Sequence, residues 1–173
     1  RHDDLSYPQY APLPTLTAHI DTTVVGLEAP NVIVGWRTDA AASLQTDTLS
    51  VISHLLSNGK AGLFDLDLNN PMKVMGASAQ LSSNHDYGMF YLYGSPKEGQ
   101  DTKEVRRLML GEIEKLKKGQ FSDDLLPSAV NNMKLKYYQS LRKNDERADR
   151  FVNAFINDKQ WDDEVHSLDR IAK

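Results

Sequence analysis

Two stretches of alternating residues around a short polar turn most constrain what this chain can fold into. Val74–Leu81 and Tyr87–Tyr93 flank Ser82-Ser83-Asn84-His85-Asp86, and β-patterned runs joined this way form an antiparallel pair. Strand side chains point alternately to opposite faces. Alternation therefore places Met75, Ala77, Ala79 and Leu81 on one side of the first strand, with Gly76, Ser78 and Gln80 opposite. In the second strand Phe90 and Leu92 face away from Tyr87, Met89, Tyr91 and Tyr93. One face is apolar and needs a covering layer; the other is half-polar.

The covering layer is legible on either side of the pair. Leu44, Thr48, Val51, Ile52, Leu55 and Leu56 recur at helical spacing, and Asn58-Gly59 supplies a left-handed stop, which predicts a helix over Leu44–Asn58. Asp101 with Glu104 three residues on is a helix-start signature, and Val105, Leu108, Ile113 and Leu116 follow as an apolar stripe. Lys115, Lys117 and Lys118 sit at the negative end of the helix dipole and Gly119 closes it, so a second helix spans Thr102–Lys118. Both are expected on one sheet face, burying Val51, Leu55, Val105, Leu108 and Phe90. Residues 60–72 suit a short helix ending before Pro71. Further helices are expected from about Ser122, from Asp145 with Ala148, Phe151, Val152, Phe155 and Ile156 on one face, and around Val165, Leu168 and Ile171. Upstream, the β-branched runs His19–Val25 and Val32–Arg37 read as two strands joined by a turn through Gly26, Glu28 and Pro30. Residues 1–15, with Pro8, Pro12 and Pro14, read as an extended linker, leaving 16–173 as a single domain. The element order ββ, α, ββ and a run of helices predicts an α+β fold: a mainly antiparallel sheet with helices packed on one face.

Composition removes several function classes. The 20 Lys and Arg against 24 Asp and Glu give a net charge of −4, and the cations are scattered, so the basic stripe of a nucleic-acid binder is missing. With no cysteine, thiolate chemistry and disulfides are excluded, and either redox compartment fits. No apolar run approaches the roughly 20 residues that span a bilayer. The start at Arg1 rather than Met predicts a longer or processed parent polypeptide.

Candidate chemistry is sparse. The five histidines, His2, His19, His54, His85 and His166, lack metal-ligand spacing; neither H-x-x-E-H nor H-E-x-x-H occurs, and Asp163-Glu164-Val165-His166 lacks a second histidine. There is no G-x-S-x-G elbow, S-x-x-K or phosphate loop, Gly59-Lys60-Ala61-Gly62 included. Asp123-Asp124 and Asp162-Asp163 stand at helix starts, where capping accounts for them. No catalytic and no metal residue is assigned. The remaining candidates are Tyr87, Tyr91 and Tyr93 with Ser78 and Gln80, a row able either to contact an extended peptide or to lie under a neighbouring helix or domain.

Taken together, the strand PNVIVGWRT, the helix DTLSVISHLLSNG, the stretch GLFDLDLNNPMKVMGASAQ, the strand ending DYGMFYLYGSPKEG and the helix EVRRLMLGEIEKLKKGQFS make the chain similar, over roughly residues 20–160, to the zinc-free half-unit of the pitrilysin/insulinase peptidases. That family includes mitochondrial processing peptidase. The resemblance implies a chain that is not itself an enzyme: a non-catalytic, chamber-forming and peptide-contacting domain of a larger zinc metalloendopeptidase, or alternatively an inactive binding or assembly subunit. It implies zinc in the parent's catalytic domain and none here, and as partners a zinc-bearing domain of the same or a partner chain and a peptide substrate. A distal half-unit of the family carries a substrate-gripping Arg and, seven residues later, a Tyr; these fall on Leu68 and Met75, so that role is not carried over. The mismatch favours the unit directly after a zinc domain.

Overall fold

The computed structural model describes residues 11–171. Strand β1 (Val32–Thr38), helix α1 (Gln45–Leu56), a π-helical turn (Asp65–Asn69), β2 (Gly76–Ser82) and β3 (Gly88–Ser95) are followed by α2 (Thr102–Lys117), α3 (Leu125–Ser140), α4 (Asn144–Ile156), α5 (Trp161–Val165) and α6 (Ser167–Ile171). The strands form an antiparallel sheet of three in the order β1-β3-β2. This is the α+β architecture expected from the sequence, with α1 against β2 and α2 against β3 and β1, all on one face.

The inner face carries Val32, Val34, Ala77, Ala79, Phe90 and Leu92, which meet Leu55, Leu56, Val105 and Met109 from the two helices. Phe64 and Leu68 of the turn region, together with Val74, complete the core. Val51 and Leu108, expected inside, lie half-buried at its rim. Gly94 sits where α2 comes nearest the sheet: a methyl group in its place would meet the Val105 Cγ1 at 2.6 Å. Glycine therefore sets how closely helix and sheet approach.

The ends of α2 follow the expected chemistry. Asp101 caps α2 by accepting from the Lys103 N–H at 3.0 Å, and Gly119, at φ +65°, closes it while the Gln120 N–H donates to the Lys115 carbonyl. Gly59, at φ +80°, lies three residues past the end of α1, whose cap residue Ser57 is extended, so the left-handed residue expected to stop that helix belongs to the loop instead. Pro127 falls in the first turn of α3, where its missing N–H has no intrahelical partner to lose.

Two expectations, a strand over His19–Val25 and an inward Met75, are corrected. His19–Val25 is not a strand; residues 11–31 have no regular secondary structure, and Val25 is 93% exposed. In place of a ladder, the start of the segment meets α2: Arg106 bonds Asp21 at 3.2 Å and lies 2.8 Å from the His19 ring, while the β-branched residues that follow stay exposed, with no layer to bury them. The apolar residues of α4 stand largely in solvent: Ala154 packs inward while Phe151, Val152, Phe155 and Ile156 are exposed. Phe151 stacks on Trp161 of α5 at 4.0 Å between ring centroids, a local cover in place of a core. Met75 precedes β2 and is exposed rather than inward, because Val74 takes the core position instead.

Candidate functional site

The outer sheet face is built by the residues that alternate with the core. In register across the sheet, Gly35, Tyr91 and Gln80 make one row, and Ile33, Tyr93 and Ser78 the next. The Tyr91 hydroxyl donates to the Gln80 Oε1 at 2.6 Å, which holds the ring across the strand pair; the Tyr93 hydroxyl accepts from the Ser95 hydroxyl at 3.3 Å. Beside Tyr91, Gly35 carries no side chain, and the Met89 thioether stands over that position. Ile33, Gln80, Met89 and Tyr93 are exposed, while both helices that contact the sheet lie on its other side. The expected constellation is thus one surface: Tyr91 and Tyr93 with Gln80 and Ser78, and Tyr87 at its margin.

Tyr87 lies one residue before β3 and turns to the same side. Its ring stands 5.3 Å from the Arg37 guanidinium, and its hydroxyl accepts from the Leu13 N–H at 3.0 Å. Arg37 donates to the Pro14 carbonyl at 2.7 Å. Arg37 is the functional candidate that reading the sequence missed. The signal was present, since Ile33, Gly35 and Arg37 share a face by alternation, and Arg37 is the cation of that stripe.

The other candidates do not assemble. His54 bonds the Ser50 carbonyl within its own helix, His85 pairs with Asp86, and His166 bonds the Asp162 carbonyl; His2 lies outside the described residues. No group of three His, Cys, Asp or Glu side chains among the described residues is placed to hold a metal, so the donor set does not fit zinc. Asp124 stands at the start of α3 without making a side-chain cap bond, and Asp162 and Asp163 fall in the first turn of α5.

A separate charged cluster ties α2 to the π-helical turn. The Lys115 Nζ bridges the Asp67 carboxylate at 2.6 Å and the Glu112 carboxylate at 2.9 Å. The hydrogen bond from Lys115 holds Asp67 below the usual carboxylate range, while burial, outweighing the same ammonium, raises Glu112, whose second oxygen has no partner. The bond to Asp67, then that to Glu112, raises Lys115. The two carboxylates therefore pull stability in opposite directions with pH. Asp67, depressed in the fold, stabilises above its unfolded pKa, and that contribution is lost as pH falls through its folded value. Glu112, raised in the fold, favours the folded state in acid, and that advantage disappears as pH climbs through its folded value. Asp67→Asn is expected to lower stability near neutrality by about 1 kcal/mol or less, because the pair is partly solvent-screened. Urea unfolding from pH 7 down to pH 3 tests this: the variant and parent curves should converge in acid, and a constant offset would refute the assignment.

Comparison with known proteins adds the family. The description "Peptidase M16 inactive domain" matches residues 3–133. Among solved structures, a protease from Helicobacter pylori is 18% identical with a TM-score of 0.76, over 82% of this chain and 34% of that one. The inactive peptidase domain of a proposed zinc protease from Bordetella parapertussis is 17% identical with a TM-score of 0.73, over 84% and 77%. A proposed zinc protease from Bordetella pertussis Tohama I is 17% identical with a TM-score of 0.71, over 86% and 82%. Identities this low speak for a shared fold. The chain spans about a third of the Helicobacter protein's length. No curated protein matches it.

Proposed function

Because the chain belongs to the peptidase M16 inactive-domain family, we propose that it serves as the non-catalytic, chamber-forming domain of a larger zinc metalloendopeptidase. In that role it stands beside a zinc-bearing domain and offers Tyr87, Tyr91, Tyr93, Ser78 and Gln80 to an unfolded peptide. The zinc belongs to the partner domain, and this chain contributes no step of bond cleavage. The observation that carries the reading is the outer sheet face, where half-buried Tyr91 and exposed Tyr93 of β3 stand across from Gln80 and Ser78 of β2, opposite the face that packs on the helices. Aromatic rings with polar tips give contact area to any extended peptide without fixing its sequence.

Such contacts bind substrate and transition state alike, so they lower KM without raising kcat. Tyr91→Ala in the full-length parent is expected to raise KM about two- to tenfold, the equivalent of an aromatic contact of about 0.5–1.5 kcal/mol, and to leave kcat nearly unchanged. Steady-state cleavage of an unstructured peptide measures both. An equal fall in kcat and kcat/KM would place the ring in the chemistry, and no change in either would remove the face from substrate binding.

A further inference from the structure

One end of the tyrosine face is already occupied, by the chain's own backbone. Leu13 donates its N–H to the Tyr87 hydroxyl and Pro14 gives its carbonyl to Arg37. Pro12 and Pro14 have no N–H, so Leu13 carries the single backbone donor of that tripeptide, and it is the one engaged. The side chains take no part in the grip: Leu13 is 57% and Leu16 59% exposed. Beyond this point the segment leaves the outer face around β1 and is fastened to the helix layer through Asp21 and His19 on Arg106.

The geometry points to Tyr87 and Arg37 as a backbone clamp for an extended peptide, and to residues 11–16 as an intramolecular strap that fills the clamp until a peptide displaces it. The guanidinium beside the Tyr87 ring presents a cation for a carbonyl, and the phenol oxygen presents an acceptor for an N–H one residue earlier. A donor and an acceptor so spaced read main chain, not side chain, which is the recognition an unfolded substrate of varied sequence requires. An extended proline-containing segment loses little conformational entropy on docking, so it suits the place. The inference rests on the peptide-facing reading of the outer face and adds to it a self-occupied entry site.

The strap can be removed without touching the core, whose residues all lie at Val32 or beyond. The test uses a fluorescein-labelled peptide of the strap's own sequence, Ala-Pro-Leu-Pro-Thr-Leu, titrated against the intact chain, a chain lacking residues 1–16, and the shortened chain carrying Arg37→Ala. A strap that is closed nine-tenths of the time reduces apparent affinity about tenfold, so the shortened chain should bind at least about tenfold more tightly than the intact one, and Arg37→Ala should abolish the gain. In the intact chain, hydrogen exchange at the Leu13 amide should be slowed, and Tyr87→Phe or Arg37→Ala should release it. These full-length variants keep the clamp testable if the shortened chain folds poorly. Equal peptide binding with and without the strap, or binding indifferent to Arg37, overturns the clamp while leaving the peptide-facing reading intact. Absence of binding to any form, together with an unchanged KM for Tyr91→Ala in the parent, overturns both.

Discussion

Phe64→Ala is expected to lower the unfolding free energy by about 3–5 kcal/mol, a large part of the roughly 5–15 kcal/mol that holds an ordinary domain together. Phe64 is the largest of the fully buried side chains and is grouped with Leu56, Leu68, Val74 and Leu92. Removing the ring strips away its transfer free energy and leaves a void, because packed neighbours relax only in part. Its position sharpens the effect. Phe64 directly precedes the π-helical turn, so losing it loosens both the core and the anchorage of that turn over the sheet. Urea unfolding followed by far-ultraviolet circular dichroism measures the change, with Leu126→Ala, on an exposed side chain, as the control expected within about 0.5 kcal/mol of the parent. A loss below about 1 kcal/mol at Phe64 would mean that the core is not organised around it.

What the sequence revealed and what it hid divide by range. The boundaries of α2 were legible because Asp101 and Gly119 act within one turn of their own positions, and the faces of β2 and β3 because alternation is a local rule. For the same reason Tyr91, Tyr93, Gln80 and Ser78 could be grouped from the sequence alone; the register that pairs Tyr91 with Gln80 then followed from the turn between the strands. The misread elements turned on contacts that lie outside their own sequence. The β-branched composition of His19–Val25 does not say whether a sheet edge is there to receive it, and the start of the segment instead bonds Arg106, more than 80 residues on. Nor does helical spacing in α4 say which stripe turns inward; Ala154, the small residue, lets the backbone approach while the larger apolar side chains stay out. The strap is invisible for a related reason: its contacts are main-chain atoms of Leu13 and Pro14 meeting side chains 74 and 23 residues away, and main-chain atoms carry no sequence signal.

Asp65→Ala is expected to cost about 2–4 kcal/mol, since leaving a buried donor without a partner costs about 1–3 kcal/mol and several donors converge on this carboxylate. Asp65 is itself buried, and its Oδ2 accepts from the N–H groups of Asn58, Gly59 and Gly62 at 3.0, 2.9 and 3.1 Å. The Asn58 side chain accepts from Lys60 and Ala61. The five consecutive N–H groups of residues 58–62 are thus satisfied by two side chains, and three of them form a nest around the Asp65 carboxylate. The other oxygen of Asp65 accepts from Asn69, which exchanges two hydrogen bonds with the Ala77 backbone on the open edge of β2. Ser53 of α1 covers the next edge position by donating to the Ala79 carbonyl. The carboxylate therefore orders a loop and, through Asn69, keeps a sheet edge from pairing with another chain. Asp65→Asn retains one acceptor oxygen but loses the charge, so its loss should fall between those of the parent and the alanine variant. Urea unfolding orders the three proteins, and limited proteolysis within residues 57–62 should report a loop opened only in the alanine form. If Asp65→Ala stays within about 0.5 kcal/mol of the parent, the N–H groups have found water and the nest is not what holds this edge.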